Sequence, residues 1–115
     1  MNTAITTPAA QLSTAEFCCE VRQAFHGLSV HIKNVGTDSE LGLLNALMPM
    51  ARTAYLYVID GNEYAAKDLA AAARCLLIGA TDLHDYGTPN SKNAWVRLSI
   101  ATVSLELQVD RNNRA

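Results

Sequence analysis

The stretch LGLLNALMPMARTAYLYVID, Leu41 to Asp60, decides the fold. It is almost wholly apolar, has a proline near its middle and offers water only two charges, Arg52 and Asp60. Two apolar stripes run through it. Leu41, Leu44, Met48, Ala51, Tyr55 and Val58 form one, and Leu43, Leu47, Met50, Ala54 and Tyr57 form another on a different side. Recurrence at steps of three and four marks a helix. Pro49 has no N–H to donate to the Asn45 carbonyl, and a proline inside a helix costs about 3 kcal/mol. Either the helix kinks and continues, or it ends near Leu47 and restarts with Pro49 in its first turn. The first stripe keeps its phase across the proline, which favours the kink.

The run is long enough to span a bilayer. Arg52 lies in its middle, beside Asn45 and Pro49, and a central arginine costs roughly 2.5–3.5 kcal/mol on insertion scales. The preceding residues TDSE, Thr37 to Glu40, form a capping box of the kind that opens helices in water. The sequence therefore predicts a helix over 38–60 that does not cross a membrane.

Upstream, STAE, Ser13 to Glu16, is a second capping box. Behind it Phe17, Val21, Ala24, Leu28, Ile32 and Val35 recur at helical spacing, and Gly36 is a natural stop, giving a helix over 13–35. Acid in the first turns and Lys33 in the last suit the helix dipole. The first twelve residues, MNTAITTPAAQL, have neither a basic segment nor a continuous apolar one. They read as a disordered tail over 1–12 and not as a signal peptide.

Downstream, DGN, Asp60 to Asn62, is a tight connector. Gly61 suits a left-handed position after a helix, and Asn62 suits the cap of the next. A third helix is expected over 63–85, with a buried face at Ala65, Leu69, Ala72, Leu76, Ala80 and Leu83. Its other alanines form a small-residue face that permits close packing. The short connector makes helices two and three an antiparallel hairpin. YGTPNS, Tyr86 to Ser91, is a loop with Asn90 or Ser91 as a cap.

The last segment, over 91–111, reads two ways. Trp95, Leu98, Thr102, Leu105 and Val109 fit a helix, whereas Val96, Leu98 and Ile100, then Val103, Leu105, Leu107 and Val109, alternate as in a strand. No other segment supplies a partner strand, so a helix is expected, with a frayed tail at 112–115. The fold expected is all-α: a compact bundle of four helices in one domain over 13–111.

Composition supports this. At 115 residues the chain is the size of one ordinary domain, and 50% hydrophobic with 17% charged residues is globular. A net charge of −2 with scattered basic residues provides no stripe to displace counterions from phosphates, which argues against direct nucleic-acid binding. Three cysteines, Cys18, Cys19 and Cys75, two of them adjacent, do not make a disulfide framework. They read as reduced thiols of a cytoplasmic protein.

Chemistry is sparse. There is no phosphate-binding glycine loop, no CxxC and no HExxH, so neither a cofactor nor a metal is expected. Cys19 and His26 share a face but stand about 10 Å apart along the axis, too far to hold one ion together. In TDLHDYG, Asp82 and His84 are two apart on a helix and do not face each other. Ser91, Ser99 and Ser104 lack triad partners. No catalytic set emerges, and the chain reads as non-enzymatic.

The second stripe carries the functional expectation. In a monomer it would be a larger apolar patch than soluble proteins usually expose. Either this helix is central or the stripe meets another chain, most simply in a homodimer. Interface candidates are Leu43, Leu47, Met50 and Tyr57, with Glu16, Glu20, Asp82 and Asp85 as acidic residues for a basic partner. The expectation is a small interaction module: an adaptor, regulator or inhibitor of a larger protein machine. By analogy, compact, motif-free bacterial or phage accessory proteins, anti-defence proteins among them, work this way. The alternative is a bundle that binds a small molecule between helices two and three, near Pro49, Met48, Met50, Arg52 and Tyr55.

Overall fold

The computed structural model describes residues 13–114. Among them are five α-helices and no strand: α1 (Thr14–Val35), α2 (Asp38–Ile59), α3 (Ala66–Gly79), α4 (Thr81–Tyr86) and α5 (Pro89–Arg114). The all-α expectation is therefore met, and the expected tail at 1–12 lies outside the described residues. No helix among the described residues is long and apolar enough to cross a membrane.

Both capping boxes form. Ser13 Oγ accepts from the Glu16 N–H while the Glu16 carboxylate accepts from the Ser13 N–H, and Thr37 and Glu40 do the same for α2. These exchanges satisfy orphan donors in the first turns. α2 is continuous from Asp38 to Ile59, so the helix does not end and restart at Pro49. Pro49 and Asn45 are both exposed. The carbonyl deprived of a partner thus belongs to the solvent side of the helix, where water replaces the lost bond.

α2 stops at a glycine. The Asn62 N–H donates to the Tyr57 carbonyl and the Gly61 N–H to the Val58 carbonyl, with Gly61 at φ 103°. This is the Schellman arrangement, and it requires the left-handed conformation that glycine adopts without a Cβ penalty. The side chain of Asn62 makes no capping bond, contrary to expectation. A short 3-10 turn, Glu63–Ala65, leads into α3, which also starts without a side-chain cap.

The four-helix expectation needs correction, because the third predicted helix divides at Ala80 (φ −109°, ψ 24°). Gly79 is a poor helix former, and Thr81 competes for the backbone: its hydroxyl donates to the Leu77 and Ile78 carbonyls. Trp95 Nε1 donates to the same Leu77 carbonyl at 3.0 Å. α4 is the short piece beyond the break.

The last segment is a helix throughout, so the strand alternative is overturned. It starts earlier than expected, because Thr88 rather than Asn90 or Ser91 caps it and Pro89 takes the first turn. It also runs further, with residues 112–114 still helical.

The long helices pack in a cycle: α1 on α2, α2 on α3, α3 on α5 and α5 on α1. Leu28, Ile32, Leu44, Leu69, Leu76, Leu98 and Leu105 form the centre of the core. α1 and α5 are antiparallel. Thr14 accepts from Gln108 and Asn112 at one end, and His31 meets Ser91 at the other. Arg74 of α3 holds Glu106 of α5 through two hydrogen bonds, at 2.6 and 3.1 Å. That contact raises the guanidinium pKa above its ordinary value.

Candidate functional surface

The second stripe of α2 divides between core and surface. Leu47 is 7% exposed and Ala54 is buried, both within the chain's own core. Leu43 is half-buried and reaches Gly79 at the end of α3, where a Cβ would collide with its side chain. The alanine-rich α3 lies close enough to cover this side of α2, which the stripe's spacing alone does not reveal. Leu47 is therefore a core residue and not a surface available to a partner. Met50 and Tyr57, at 60% and 55% exposure, remain outside, with Leu56 and Ile59 also exposed on the same helix.

The acidic candidates do not form one patch. Glu16, Glu20, Asp82 and Asp85 are all exposed. Glu16 and Glu20 stand at the end of α1 beside the C-terminal part of α5. Asp82 and Asp85 lie on α4, whose His84 ring packs 4.6 Å from Trp95 near the start of α5. Residues 95 and 112 of α5 are roughly 25 Å apart along its axis. Two of these carboxylates already have partners: Glu16 in its capping box, and Asp85 at 3.0 Å from His84 Nδ1.

Among the described residues a continuous exposed apolar stripe lies elsewhere, on α5. Val96, Ile100, Val103 and Leu107 are 38%, 64%, 44% and 53% exposed. Their steps of four, three and four place them on one face, opposite the buried Leu98, Thr102 and Leu105. The signal is present in the sequence but disguised. Two helical stripes on opposite sides of one helix, superposed, produce the alternation that resembles a strand.

A groove of about 520 Å³ lies between α1 and α2 and touches Leu69 of α3. Arg22, His26, Met48, Arg52 and Tyr55 help line it, and no carboxylate does. The sequence points to a pocket near Arg52 between helices two and three. The wall opposite α2 is instead α1, and Met50 does not line the groove. Arg22 lies over the Tyr55 ring, 5.1 Å from its centre. Burial, then the adjacent Cys19 thiol, raise the Tyr55 pKa against the opposing effect of Arg22.

Two further contacts involve reactive residue types. Ser91 Oγ stands 3.2 Å from His31 Nδ1, a pairing across sixty residues that spacing does not foretell. Ser91 is buried and also meets the Thr88 hydroxyl at the start of α5, so the pair ties α1 to α5. Cys18 is buried, and its thiol is pushed up to about 11, by desolvation first and the Glu63 charge second. Among the described residues no three His, Cys, Asp or Glu side chains converge as a metal site.

No family model matches this sequence, and neither a curated protein nor a solved structure matches it.

Proposed function

We propose that the chain is a non-enzymatic interaction module, an adaptor, regulator or inhibitor that presents a helical surface to itself and to a larger protein partner. The observation carrying this reading is the outer face of α5, four large aliphatic side chains in register and open to water. Scattered apolar residues are normal on a protein surface, but an ordered stripe marks a contact site. Met50 and Tyr57 on α2, diagonal to α5 in the bundle, form a separate exposed apolar spot, and aromatic residues often anchor such contacts.

The test compares affinity capture from cell extract by the wild-type chain with capture by two variants. One is Ile100→Ser/Leu107→Ser and the other Met50→Ser/Tyr57→Ser. A specific partner should be retained by wild type and lost from at least one variant whose helical signal is unchanged. Capture unaffected by both would remove the reading.

A second reading rests on the groove. Two arginines without a lining carboxylate, over an apolar floor, suit a small amphipathic anion. A bend of α2 at Pro49, one turn before Arg52, would belong to this reading, widening the mouth. Titration with the apolar sulfonate dye anilinonaphthalene sulfonate tests it. Arg52→Ala should weaken binding about tenfold, and an unchanged isotherm would end the idea.

A further inference from the structure

The groove between α1 and α2 has an apolar floor and a cationic mouth. Phe25, Ser29, Ala51 and Leu69 line it and are buried. The Ser29 hydroxyl donates to the His26 carbonyl at 2.6 Å, so its own helix satisfies it and the floor presents no free donor. Ser29 and Ala51 are small, and their size leaves the room between the two helices. Arg22, His26 and Arg52 line the same groove and are exposed.

The three basic residues gather at one level of the groove. α1 and α2 are antiparallel neighbours joined by Gly36 and Thr37, and Arg22 lies over the Tyr55 ring. Arg52, about one turn before Tyr55, is therefore level with Phe25 and His26. Arg22 and Arg52 stand about 4–5 Å apart along the groove on opposite walls, and His26 is about 6 Å along α1 from Arg22. Neither arginine has a carboxylate three or four residues away on its own helix. The ion pairs among the described residues involve Arg74, His84 and Arg114 instead. Two fixed positive charges thus face one groove that no carboxylate lines.

We infer that the groove takes a soluble organic phosphate monoester with a compact apolar body. The phosphate sits between Arg22 and Arg52, and the body lies on Phe25, Ala51 and Leu69. This rests on the groove reading above and names its ligand class. A phosphate monoester carries about 1.5 to 2 negative charges near neutral pH and three acceptor oxygens. That matches two guanidinium groups, whose planar forks each present paired donors to such oxygens. A carboxylate or sulfonate brings a single charge and leaves one arginine without a counter-charge. The floor separates a soluble ester from a membrane lipid. A headgroup held from a bilayer keeps its chains in the bilayer and the floor empty, whereas a soluble ester removes its apolar body from water there.

Isothermal titration of the full chain with naphthyl phosphate, naphthalene sulfonate and inorganic phosphate tests the inference, at about pH 7.5 so that the ester is largely dianionic. A further arm uses phosphatidylcholine vesicles containing phosphatidic acid. Naphthyl phosphate should bind at least about tenfold more tightly than the sulfonate, inorganic phosphate or the vesicles. Arg22→Gln and Arg52→Gln should each remove its advantage over the sulfonate while leaving the circular dichroism spectrum unchanged, since both arginines are exposed. Equal binding of naphthyl phosphate and naphthalene sulfonate would overturn the phosphate assignment yet leave the groove reading standing. Inorganic phosphate binding as tightly as the ester would show that the floor is unused and overturn the inference. Preferred binding to the vesicles would overturn the soluble ligand. An advantage that survives both arginine changes would place the phosphate outside this groove. If neither these probes nor anilinonaphthalene sulfonate binds, the inference and the groove reading both fall.

Discussion

Leu47 and Tyr57 lie on the same sequence stripe of α2 and meet opposite environments, one buried and one open to water. Spacing assigns a residue to a side of its helix but does not say which neighbour arrives there. Leu47→Ala should cost about 2–5 kcal/mol in denaturant unfolding, the range for emptying a buried aliphatic site. Tyr57→Ser should stay within about 0.5 kcal/mol. Equal costs would mean that the side of α2 facing α3 has been misassigned. Thr102 poses a different residue-scale problem. It is fully buried, and its hydroxyl has no hydrogen-bond partner among the described residues. Thr102→Val keeps the shape and removes the unpaired group, so it should stabilise the fold by about 1 kcal/mol. A loss of stability would show that the hydroxyl is satisfied in solution. By contrast, the left-handed role of Gly61 was legible in the sequence, because few residue types tolerate that backbone conformation.

Among the elements, α1 and α2 were the most readable, since their capping boxes and stripes agree on boundary and period. The third predicted helix was less so. The Ala80 break depends on Thr81 and Trp95 taking the Leu77 carbonyl, and the Trp95 bond is a tertiary contact between segments eighteen residues apart. α5 was ambiguous for a physical reason, because both of its faces are apolar and a single periodicity describes only one. Pro49 tests how α2 tolerates its internal interruption. Pro49→Ala restores a donor for the Asn45 carbonyl and removes ring crowding, at the expense of a more flexible unfolded chain. A net gain of about 1–2 kcal/mol in unfolding free energy is expected. A destabilised Pro49→Ala protein would mean that the surrounding packing depends on the ring.

Across the whole molecule, stability should depend on pH through a group that no motif singled out. The Cys18 thiol ordinarily titrates near 9 and is raised to about 11 in the fold. Below pH 9 both folded and unfolded chains hold the proton, and the full stabilisation is present. Between 9 and about 11 the unfolded chain loses its proton first, so stability falls as pH rises. Tyr55, also raised, adds to the fall in the same direction. Chemical unfolding from pH 8 to 11 should show this loss, and Cys18→Ala should lessen it. An unchanged slope in that variant would assign the loss to other groups.

The candidate surface was only partly legible. Met50 and Tyr57 stand out from the α2 pattern, but the longer exposed stripe of α5 is hidden within an ambiguous one, and the groove near Arg52 gains its second wall from α1. These are matters of which helix lies beside which, and no single segment encodes them. The central proposal is that the outer face of α5 makes contacts, while its inner face lies in the core. Methyl NMR spectra recorded against protein concentration test it most directly. The methyl resonances of Val96, Ile100, Val103 and Leu107 should shift together as concentration rises, while those of Leu28, Leu44, Leu76 and Leu98 stay fixed. Outer methyls that do not move at any concentration, or core methyls that move with them, would contradict the account.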